Sequence, residues 1–87
     1  MNIPKSLKVG GHTFKVELVS GDKLNGVADM SLETGKIRIS NFLTQTQQEC
    51  ALFHEILHAI NLEFDEVIVE FLAQNIYQVL ADNKLLK

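Results

Sequence analysis

From Thr44 to about Leu62 the chain carries no Gly or Pro, and Ala51, Phe53, Leu57 and Ile60 recur at helical spacing. The pattern predicts a helix. Thr44 or Thr46 can cap its start, with Gln47 or Glu49 three residues on to complete a capping box. After a short connection over Asn61–Phe64, Asp65 is placed to cap a second helix from Glu66 to about Ala81. Its apolar face includes Ile68, Leu72, Ile76, Val79 and Leu80. Asp82-Asn83 ends it, and Lys84–Lys87 reads as a frayed tail.

The preceding half reads as strands. Ser6–Val9 and His12–Val19 flank Gly10-Gly11, a dipeptide suited to a tight hairpin turn. Phe14, Val16 and Leu18 alternate with Lys15 and Glu17, the period of a half-buried strand. Ser20–Gly26 is rich in turn residues and reads as a loop, and Val27–Leu32 is a weaker strand. Glu33–Lys36 is a turn, and Lys36–Ser40 sets Ile37 and Ile39 against Arg38. Strands first and helices after define an α+β class: a small twisted antiparallel sheet of three to four strands followed by two packed helices. Residues 1–87 make one domain, mostly sheet over 1–43 and helical over 44–83.

At 87 residues a single core just suffices, so a bound metal would be a useful staple. With 46% hydrophobic and 22% charged residues, the chain is neither disordered nor low in complexity. The net charge is −3 and the eight basic residues are scattered, which argues against nucleic acid as a partner. No stretch approaches the roughly 20 apolar residues a membrane helix needs. No apolar run marks a signal peptide at the N-terminus, so the expected compartment is the cytoplasm. Cys50 is the one cysteine, leaving no intramolecular disulfide, and it reads as a small buried hydrophobe.

His54-Glu55-Ile56-Leu57-His58 matches H-E-x-x-H inside the first predicted helix, the context that motif requires. One helical turn separates His54 from His58, so both rings project from one face and can close on a single ion. Zinc suits two imidazoles, accepting nitrogen ligands at roughly 2.0–2.1 Å in tetrahedral geometry. Glu55 is turned about 100° around the helix axis from His54. It can serve as general base to a water on the metal without ligating the metal itself. The three residues also interrupt an otherwise apolar stretch, where polar groups need partners.

A hydrolytic zinc site needs a third protein ligand and an open position. The metzincin extension fails, because Asn61 and Phe64 stand where Gly and His are required. His12, on the hairpin, reads as a strand-surface residue. Of the acids downstream, Glu63 lies too close to the helix end and Asp65 serves as the cap. Glu70 is the expected ligand, on a side of the second helix shared with Val67, Phe71 and Gln74 that would pack against the first. Glu66, one turn earlier, is either the alternative ligand or the acceptor for the free ring nitrogen of a ligating histidine. As a plain helix-terminal acid it would also be well placed.

The chain resembles the minimal gluzincins, which include small phage- and prophage-encoded metallopeptidase-like proteins and the ImmA/IrrE-like peptidases. The resemblance rests on His54-Glu55-Ile56-Leu57-His58-Ala59-Ile60, on Glu70-Phe71-Leu72-Ala73 as an E-x-x-A segment, and on the sheet ending in Lys36–Ser40. It implies a zincin-like fold with one Zn2+ per chain held by His54, His58 and Glu70, and with Glu55 activating water. It also implies a bacterial or phage-infected host. Lys36, Ile37, Arg38, Ile39 and Ser40 are similar to the edge strand along which gluzincins bind extended peptide. Larger gluzincins carry a C-terminal subdomain that often supplies a Tyr or His to the oxyanion. Tyr77, the sole tyrosine, is the one candidate for that role here, and is otherwise a helix-surface or core aromatic.

The expected function is therefore a zinc-dependent endopeptidase acting on a protein or peptide. The alternative is a non-catalytic, zinc-stabilised module that captures a protein partner.

Overall fold

Strands form where the alternation of apolar and polar residues is strongest. The computed structural model describes residues 1–86. Four strands, β1 (Ser6–Val9), β2 (His12–Val19), β3 (Ala28–Ser31) and β4 (Lys36–Ser40), precede two helices, α1 (Gln45–Ile60) and α2 (Glu66–Asp82). Gly10 closes the β1–β2 hairpin at φ 60°, a conformation that costs glycine little. Of the tail expected over Lys84–Lys87, Lys87 lies outside the described residues.

The fold is α+β as expected, but the sheet is mixed, in the order β1-β2-β4-β3. β1 pairs antiparallel with β2, and β3 antiparallel with β4. β2 and β4 run parallel, with Lys15 opposite Lys36 and Val19 opposite Ser40. The expected antiparallel sheet is corrected on this point, and so is the place of Lys36–Ser40. That strand is interior, paired on both sides, and cannot offer a free edge. The chain leaves β2 at Val19, crosses through the Ser20–Val27 loop, lays β3 on the outside, and turns back into the slot beside β2. Alternation says which face a residue takes, not which strand becomes its neighbour. Here Ile37 and Ile39 are fully buried, so the interior slot goes to the strand with two large branched side chains to hide.

The core lies between the sheet and α1. Phe14, Val16, Ile37, Ile39 and Leu52 form it, with Val9 at its margin. Each such side chain contributes roughly 1.5–3 kcal/mol on burial. Thr44 caps α1 through a full capping box with Gln47. The side chain of Asp65 caps α2 by accepting from the backbone of Val67 and Ile68.

α2 packs against α1 as a third layer, and no strand makes a comparable contact with it. Its buried residues are Val69 and Ala73, whereas Ile68, Ile76 and Val79 of the expected core face are exposed. Apolar side chains occupy most of this helix's circumference, so periodicity alone does not select the side that docks. No helix among the described residues is long and apolar enough to cross a membrane.

Candidate metal centre

α1 turns Leu52 into the core beneath the sheet and brings His54 and His58 to the acids of α2. The Nε2 atoms of the two histidines stand 3.2 Å apart. Two nitrogens bound tetrahedrally at about 2.0–2.1 Å to one ion would be roughly 3.3 Å apart, so the rings are already spaced as ligands.

α2 supplies the acids. The five-residue step between the helices sets the first turn of α2 opposite the last turns of α1. Glu66 therefore reaches both rings, Oε1 lying 2.6 Å from Nε2 of His54 and Oε2 2.9 Å from Nε2 of His58. His54, His58 and Glu66 place one donor atom each within 4.8 Å of one another. Two imidazoles and a carboxylate are a donor set suited to zinc, and the residues present fit that ion. Both histidines are mostly buried, while the Glu66 side chain is 70% exposed, which leaves the solvent side of the cluster open.

The structure brings Glu66, rather than the expected Glu70, to the Nε2 atoms of both histidines. Oε2 of Glu70 lies 2.9 Å from Nδ1 of His54, the nitrogen facing away from the cluster. There it is placed to accept the ring N–H, and with a metal bound it would hold the proton on Nδ1 and leave Nε2 for the ion, as acids beside ligating histidines commonly do. Helical spacing put both acids on one side of α2. Only the packed phase of the helix pair decided which meets Nε2.

Gln74, one turn past Glu70, donates to Oε1 of Glu70 at 2.6 Å. The i, i+4 spacing that sets Gln74 on the same side of the helix as Glu70 is what lets the two side chains meet.

Glu55 is buried beside the cluster, 7% exposed. Burial pushes its carboxyl up to about 7, against the opposing pull of His54, and Glu66 and Asp29 push the same way. A carboxylate so poised can take up or release a proton near neutrality. Burial also pushes the Cys50 thiol up, with Glu70 adding to the effect, so Cys50 stays a protonated packing residue.

His54, Glu55, Glu66 and Glu70 line a cavity of about 490 Å³ that runs along α1. Asn25 to Ala28 form one wall, and Ala73 and Gln74 of α2 continue the other. In sequence the Asn25–Ala28 wall is only a loop and the start of a strand, and nothing in its composition ties it to the motif.

Tyr77 does not face this cavity. Its hydroxyl donates to Oε1 of the buried Glu49 at 3.1 Å, and its ring packs on Phe53. Burial, and then the bond to Glu49, hold the hydroxyl above its ordinary value. The expected oxyanion role is therefore corrected to a clasp between α1 and α2. His12 lies apart, near Phe14 and against the pocket beside Ile60 and Glu63, so neither His12 nor Glu63 enters the cluster.

Comparison with protein-family models, with characterised proteins and with solved structures finds no match to this chain.

Proposed function

We propose that this chain is a zinc-dependent peptidase of gluzincin type. His54, His58 and Glu66 hold the ion, Glu70 orients His54, and Glu55 is the general base. One observation carries the reading: the buried carboxyl of Glu55 stands beside a His-His-Glu donor set that is open on one side. A purely structural zinc site needs neither a base nor an open position.

Zinc, when bound, supplies Lewis acidity and makes water a nucleophile near neutral pH. Glu55 then takes the proton from the attacking water and passes it to the leaving amine. Substrate adds as a strand along the free edge of β3, whose Ala28 lines the cavity, because β4 is paired on both sides.

A second reading has its own observation. Tyr77 is tied to Glu49, and the oxyanion therefore lacks that donor. This favours a zinc-stabilised module that captures a protein or peptide without cleaving it.

The two readings separate on Glu55→Gln. Zinc per chain is measured together with cleavage of an unbiased peptide library. Wild-type cleavage that disappears in a zinc-replete variant supports the peptidase. A zinc-loaded wild type that captures peptides and cleaves none selects the module.

A further inference from the structure

We propose that the metal holds the first two turns of α2 against α1, so that the far wall of the cleft is fixed by the ion and opens more readily without it. The inference rests on the metal-site reading above and concerns a conformational consequence of it.

α2 lies outside the main core and packs on α1 as an outer layer. The main core is built by the sheet and α1 alone, and α2 buries only Val69 and Ala73. On its solvent side Val67 is 76% and Phe71 66% exposed. Few buried contacts and much exposed apolar surface are the marks of an element that opens locally at low cost.

Its two ends are fixed differently. Toward the C-terminus, the Tyr77 hydroxyl donates to buried Glu49 and the Tyr77 ring packs on Phe53. Toward the N-terminus, Val69 and Ala73 are buried, and Glu66 and Glu70 reach the two histidines of α1. Both acids are more than half exposed, and contacts of that kind contribute little by themselves. An ion that takes Nε2 of His54 and His58 together with Glu66 joins α1 to α2 by coordinate bonds instead. Glu66, Glu70, Ala73 and Gln74 make one wall of the cavity, so fixing this turn also fixes the cleft width. Metal loading thus governs peptide capture as well as chemistry.

The test is hydrogen–deuterium exchange on the full chain, stripped with chelator or supplied with saturating zinc, with zinc content measured in parallel. The expected result is about one zinc per chain and about tenfold or slower exchange over Val67–Gln74, with β2 and β4 unchanged. Glu66→Ala and His58→Ala, each checked for native circular dichroism, should lose that protection at the same zinc concentration. Stoichiometric zinc with unchanged exchange over Val67–Gln74 would overturn this proposal and leave the metal site standing. Equal slowing throughout the chain would overturn it too, as general stabilisation. Absence of zinc from the wild type would overturn both.

Discussion

Glu66 and His54 meet across the helix pair at 2.6 Å, carboxylate oxygen to Nε2, although they lie on different helices. The contact places a carboxylate among the two ring nitrogens that the motif holds one turn apart. It sets Glu66 nearer the two Nε2 atoms than Glu70, and the behaviour of the two acids is measurable.

Zinc affinity should rank the two acids. Glu66→Ala removes a direct donor, and Glu70→Ala removes only the acceptor at Nδ1 of His54. The second should weaken zinc binding by about 10–100-fold, and the first by more. Competition with a chromogenic chelator gives both values. The reverse order would return Glu70 to the ligand set.

Glu55→Gln should reduce peptide cleavage by at least about 10²–10⁴-fold with zinc content unchanged. The amide keeps the size of the side chain and abolishes the base. Activity retained in a zinc-replete variant would remove Glu55 from the chemistry.

The metal-free protein should lose stability as pH rises from about 4.5 to about 7. Burial raises Glu55 from its ordinary 4.5 to about 7, so between those values the folded chain binds more protons than the unfolded one. Stability is then greatest below the unfolded value and falls until the folded value is passed, by on the order of 3 kcal/mol from this group. Glu55→Gln cannot ionise, so the metal-free variant should be the more stable form at about pH 8 and near parity at about pH 4.5. Urea unfolding at the two pH values checks this, and identical pH dependence in both proteins would assign the effect elsewhere.

Tyr77→Phe should destabilise the fold by about 1–3 kcal/mol, because buried Glu49 loses a donor. Its cleavage rate, corrected for the folded fraction, should match wild type. A large fall in kcat at unchanged stability would instead restore the oxyanion role.

Much of the architecture was legible because it depends on local chemistry. The Gly10-Gly11 hairpin, the bounds of β1, β2 and β4, the Thr44 and Asp65 caps and the helical setting of the motif all follow from backbone preferences and side-chain period. The spacing of His54 and His58 is likewise a property of one helix, and holds whatever packs around it.

Three features waited on the tertiary structure. The place of Lys36–Ser40 inside the sheet depends on how the Ser20–Val27 loop carries β3 around it, and alternation is blind to strand order. The buried side of α2 depends on docking, since that helix is apolar over most of its circumference. The approach of Glu66, rather than Glu70, to both Nε2 atoms follows from the same rotation. The sequence alone determined which residues could form the site, through the period of each helix. The relative phase of two helices is a packing quantity, and it decided which of those residues meet.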